Sequence, residues 1–191
     1  MSNATLAADQ AQRWVLEGKC VGWTNHQPAS SLVQWSRARA NGNAAAPPAV
    51  DLACDMVCYE LPIWAAYSAG VLTADGLYDM VREYDHTNHG SAAGIMKAIT
   101  SRWSFRKTLT NAAMPSFSRG DIVFFNDVGH VAMATGNAQV PNELYSVWGM
   151  NPAGMQPNTP VERTSVGRLL AQIALGAPGL AQTITYSSPR W

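Results

Sequence analysis

The stretch Asp55-Met-Val-Cys58-Tyr-Glu-Leu-Pro62-Ile-Trp-Ala-Ala-Tyr-Ser-Ala-Gly70 decides how the chain is read. Pro62 anchors that reading. Proline is tolerated in the first turn of a helix, where its missing N–H would have no intrahelical partner. Ile63, Trp64, Ala65, Ala66, Tyr67 and Ala69 continue a helix, and Gly70 is a good stop. The helix therefore begins a residue or two before Pro62. Cys58 falls at or just outside its N-terminus, and Glu60 suits the first turn electrostatically. Free backbone N–H groups at that position stabilise a thiolate, lowering a thiol pKa from ~8.5 to roughly 3.5–7.5. The same groups form an oxyanion hole when a carbonyl is attacked. The competing reading is a buried cysteine that only fills space.

Downstream of Pro115 the hydrophobic period changes from helical to alternating. Ser118-Arg-Gly-Asp121 reads as a turn, Ile122 to Phe125 as a strand, and Asn126 to Gly129 as a turn. His130 to Thr135 is a second strand, and Glu143 to Trp148 a third. A thiol at a helix start and a histidine on a strand are the minimum equipment of a cysteine hydrolase. Strand pairing places Ser146 or Trp148 on the face of His130, with Ser146 able to hydrogen-bond the imidazole and Trp148 to shield it. Asn151, just past the strand, is an outside candidate. Cys54 is the alternative nucleophile, because on a continuous helix it shares a face with Cys58.

Working upstream, residues 5–18 form an amphipathic helix ended by Gly18, and Ser30 or Ser31 caps a second helix that stops near Asn41-Gly42. Residues 44–48 form a small Pro-containing linker. The expected division is an N-terminal helical extension, 1–48, and a hydrolase-like core, 49–191. Thr73 and Asp75 cap a helix to about Tyr84. Residues 85–90 read as a polar loop, 91–103 as a helix, 151–160 as a loop, 165–175 as a helix and 182–186 as a last edge strand. Helices first and an antiparallel meander afterwards imply an α+β fold.

Composition narrows the function. The chain has 191 residues with 13 basic and 13 acidic side chains, so nothing directs it to nucleic acid or an anionic membrane. No apolar run is long enough to span a bilayer. The start lacks a basic region and an apolar core, so no secretory signal is expected and the producing cell's cytoplasm is the expected location. The cysteines Cys20, Cys54 and Cys58 are odd in number and form no CxxC pair, which argues against a disulfide scaffold or zinc knuckle. His86 and His89 lack a third ligand at metal spacing and read as a solvated loop. No cofactor or metal is expected.

Cys58 and the Ala69-Gly70 that ends its helix, Gly120-Asp-Ile-Val-Phe-Phe125, Gly129-His-Val131 and Gly136 together resemble the NlpC/P60 branch of papain-like cysteine hydrolases. The match runs from residue 55 to about 149. The family reads Asp-Cys-Ser-Gly around its nucleophile where this chain reads Val57-Cys58-Tyr59-Glu60. The resemblance implies a papain-like core with helices packed on an antiparallel sheet. It implies catalysis by Cys58 and His130. The family's third polar residue, often His, Asn or Gln, is missing from Leu144-Tyr-Ser-Val-Trp148, so strand pairing supplies Ser146 as the orienting candidate, with Tyr59 and Trp148 expected at the substrate. Cleavage of a cell-wall peptide or amide bond follows, by an antibacterial effector toxin exported without a signal peptide and answered by a cognate immunity protein. The alternatives are a deamidase or transglutaminase acting on a host protein, and a non-catalytic binding module.

Overall fold

Ser2 starts the first helix by accepting the Thr5 N–H on its hydroxyl at 3.2 Å. This helix, α1, spans Asn3–Leu16 and buries Ala7, Ala8, Ala11 and Trp14. Gly18, at φ +63°, turns the chain into the strand β1, Cys20–Trp23. Helix α2, Ser31–Ala40, is capped by Ser30, whose hydroxyl accepts the Val33 N–H at 3.2 Å. A short strand β2, Asp55–Met56, precedes α3, Glu60–Ser68, with Pro62 in its first turn. Thr73 then caps α4, Ala74–Asn88, through the Gly76 N–H at 3.1 Å. The computed structural model describes residues 1–24, 29–43, 45–51, 53–88, 103–110, 116–126, 129–148, 156–176, 183–189 and 191.

The second half supplies β3 (Trp103–Thr110), β4 (Ile122–Phe125), β5 (His130–Ala134), β6 (Glu143–Ser146), β7 (Gln156–Pro160), β8 (Glu162–Ser165), α5 (Val166–Gly176) and β9 (Thr183–Pro189). Six of these strands form an antiparallel sheet in the order β3-β9-β4-β5-β6-β8. The second sheet has the order β2-β1-β7, with β1 parallel to β2 and antiparallel to β7. The fold is α+β.

Alternation sorts the large sheet into two faces. Ile122, Phe124, Val131, Met133 and Tyr145 join α1 and α3 in one core. Val123, Phe125, Ala132, Ala134 and Leu144 meet Val166, Leu169, Leu170 and Ile173 of α5 in the other. With both faces covered, β4 and β5 are apolar at almost every position and fully buried.

The segment 1–48 shares the core of 49–191. Ala7, Ala8, Ala11, Trp14, Val21, Leu32 and Val33 lie in one cluster with Leu61, Ile63 and Trp64. The turn before β4 seals this contact. A Cβ at Gly120 would come within 2.2 Å of the Ala4 carbonyl oxygen, so only glycine permits that approach. Next to it the Arg119 guanidinium donates to Asp9 at 2.7 Å and to Gln12 at 2.6 Å. Arg119-Gly120-Asp121 is thus a docking turn for α1.

Other expectations change. The last strand is not an edge, because β9 lies between β3 and β4. Residues 156–160, read as loop, form β7. The polar start of the 85–90 segment continues α4 to Asn88. Most of the helix expected over 91–103 lies outside the described residues, as does Asn151, and Trp103 opens β3. Among the described residues, no helix is long and apolar enough to cross a membrane.

Candidate active site

Cys58 lies in the turn that leads into α3, and its side chain is half-buried. The turn is closed twice. The Glu60 N–H donates to the Val57 carbonyl at 3.0 Å. The Val57 N–H donates back to the Glu60 carboxylate at 3.2 Å. The acid at the start of α3 thus reaches back three residues to an amide in the turn before the helix. Cys58 and Tyr59 lie in the turn just before α3, with Tyr59 as its N-cap, and their amides favour the Cys58 thiolate. A third amide, from Val131, reaches it from β5. The pairing of β5 with β6 covers Ala134 with Leu144 and Met133 with Tyr145. Val131 lies beyond the last of these pairs, at the end of the strand that begins with His130.

The expected lowering of the thiol pKa is overturned in this resting geometry. Burial pushes the Cys58 thiol up to about 11, and the Glu60 carboxylate adds to the rise. The Val131, Tyr59 and Cys58 amides oppose it without cancelling it. A site with so little water favours the neutral thiol over the thiolate.

His130 is fully buried, opposite Phe125 on β4. Its Nε2 and Ser146 Oγ share a hydrogen bond at 2.8 Å. The Trp148 ring stacks on the imidazole with centroids 4.6 Å apart and planes 22° from parallel. Burial lowers the His130 pKa to about 3, so the ring is neutral. The Ser146 contact fixes the ring's orientation and leaves Nδ1 as the other nitrogen.

The expected Cys58–His130 pair is not brought together in this resting geometry, because the two side chains lie on opposite faces of the large sheet at the end of β5. Cys58 packs with the core of α1 and α3. His130 alternates with Val131 and shares its face with Ala132 and Ala134, which pack on α5. The sulfur lies against the amide that immediately follows His130. Trp148 packs against both cores and bridges the two sides.

Compared with family models, curated proteins and solved structures, the chain gives no match.

The remaining expected residues separate. Tyr59 does not line an open groove. It is 5% exposed and packs edge-on against Tyr84 at 5.3 Å. Among the described residues its hydroxyl has no hydrogen-bond partner. Cys54 is not on a helix with Cys58, because β2 intervenes; its carbonyl receives the Gly22 N–H at 2.9 Å. Cys54 is buried at 1% exposure, and burial raises its thiol pKa beyond that of Cys58. Cys20 donates its thiol to the Gly18 carbonyl. Among the described residues, no three His, Cys, Asp or Glu side chains converge as a metal would require. A groove of about 380 Å³ beside α2, lined by Ser31, Gln34, Trp35 and Pro48, includes neither Cys58 nor His130.

Glu60 is the site residue that sequence reasoning undervalued. It is fully buried beside the thiol. Its Oε1 accepts the Ser30 hydroxyl at 2.7 Å and the Tyr84 hydroxyl at 2.8 Å. Burial raises the carboxyl to about 7 against the pull of these donors and the Val57 amide. The available signal was an acid in the first turn, three residues after Val57. Its charge suited the helix dipole, and nothing in the sequence marked it as buried.

Proposed function

We propose that the chain is a cysteine hydrolase of the NlpC/P60, papain-like type that cuts an amide bond, with cell-wall peptide as its substrate class. The observation that carries this reading is the imidazole of His130, held between Ser146 and Trp148, one residue before Val131, whose amide favours the Cys58 thiolate; the approach of the sulfur to the imidazole when substrate binds is part of the proposal. Both groups rest neutral, so the proton leaves Cys58 for His130 as the thiol attacks, not beforehand. The Cys58–carbonyl bond forms and the carbonyl oxygen takes the electron pair. The Cys58 and Tyr59 amides receive that oxyanion. His130 then returns the proton to the leaving amine, giving a thioester. Water, deprotonated by His130, releases the acid and restores the thiol. Ser146 orients the imidazole, and Trp148 keeps water from it.

The test is digestion of purified wall sacculi with the full chain, with product analysis by mass spectrometry. New amine and carboxyl ends, absent with Cys58→Ser, are the expected result. Intact sacculi together with release of ammonia from protein glutamine would move the same chemistry to a deamidase.

A further inference from the structure

The turn that carries Cys58 is fastened by a single carboxylate that accepts from three donors. Each donor comes from a different place: Val57 from the turn itself, Ser30 from the start of α2, and Tyr84 from α4. Ser30 already accepts the Val33 N–H, so its own O–H is free to donate to Glu60. Three donors suit an ionised carboxylate, while burial suits a protonated one. Glu60 therefore combines two roles, as the fastening of the turn and as a titratable charge beside the sulfur.

We propose that Glu60 is the positioning residue of the Cys58 site, its buried carboxyl tying the turn that carries the thiol to the start of α2 and to α4. The inference rests on reading Cys58 as the nucleophile, but it concerns the thiol itself and needs no substrate to be tested. Ionised Glu60 holds the Val57 amide and opposes the thiolate electrostatically. Protonated Glu60 removes that charge. The groups acting with this carboxylate are Cys54, Cys58 and Tyr59 from its own stretch, Tyr84 from α4 and Ser30 at the start of α2, while Asp85 of α4 acts on Tyr59 and Tyr84 and is itself paired with Arg37 of α2 at 2.8 Å. Burial holds the tyrosines well above their ordinary range and raises Cys54 further than Cys58. His130 is neutral far below pH 7.

The experiment is the rate of alkylation of Cys58 by iodoacetamide in the intact chain, read by peptide mass spectrometry between pH 5.5 and 9. For an isolated thiol well below its pKa, the logarithm of this rate rises with unit slope. In the native chain the slope should flatten near pH 7 and leave the rate at pH 9 at least threefold below that line. Glu60→Gln should restore the straight line. Tyr84→Phe, which keeps the carboxylate but removes one donor, should move the flattening to higher pH by half a unit or more, and it serves where Glu60→Gln does not fold. A native profile without flattening, or a flattening that stays in place in either variant, overturns the proposal. Failure to cut sacculi bears on the function and leaves this coupling standing.

Discussion

Two turns of this molecule are held by ionisable side chains, in contrasting surroundings. The turn at Arg119 is fastened to α1 by an ion pair with Asp9, with side chains 27% and 39% exposed. The turn at Cys58 is fastened by Glu60, which is fully buried and, among the described residues, has no cationic hydrogen-bond partner. At Arg119 water screens the charge, and ionisation costs little. At Glu60 ionisation sets burial against three hydrogen bonds, and the balance falls near neutral pH. A structural clamp can use the first arrangement. A clamp that must also influence a neighbouring thiol gains from the second.

The sharpest way to break this contrast is to delete each clamp. Glu60→Ala strands the Ser30, Tyr84 and Val57 donors in a dry site and opens a cavity, and should cost about 3–5 kcal/mol in urea unfolding. A smaller proton-linked effect comes next. Glu60 keeps its proton in the folded chain up to about pH 7, whereas the unfolded carboxyl loses it near 4.5. Its contribution is therefore full below pH 4.5 and is lost as pH rises toward 7. His130 runs the other way. The unfolded imidazole binds a proton below 6.5, and the folded one refuses it down to about 3. Its contribution is full above pH 6.5 and is lost as pH falls. Between pH 4.5 and 6.5 the two slopes cancel, so native stability should be nearly flat there. His130→Gln should uncover the Glu60 slope, a fall of about 3 kcal/mol from pH 4.5 to 7. Arg119→Ala should cost least, about 1 kcal/mol, because a half-exposed pair is screened. Its loss should shrink in high salt, which the loss at Glu60 should not.

The same contrast explains what could be read from the residues. Pro62 and Gly70 bracket α3 because both act through their own backbone. The apolar runs of β4 and β5 are visible because a strand buried on both faces leaves few polar positions. The short strands β1 and β2 span 4 and 2 residues, too few to establish a period. β7, with two prolines and an asparagine in Gln156–Pro160, carries loop chemistry and is a strand only through its pairing with β1. The interior place of β9 depends on β3 and β4 arriving on its two sides, which no local pattern encodes. The Ser146–His130 hydrogen bond follows from alternation along paired strands. The burial of Tyr59 and Glu60 does not, because it depends on α4 closing over the turn through Tyr84.

The most direct measurement is the rate at which a vinyl sulfone, an electrophile that needs a base to take the thiol proton, modifies Cys58 at pH 7. Modification of the native chain at Cys58, with a drop of tenfold or more in His130→Ala and a smaller drop in Ser146→Ala, is the expected result. Equal rates in the native chain and His130→Ala, with both proteins folded, would mean that the imidazole does not serve the thiol.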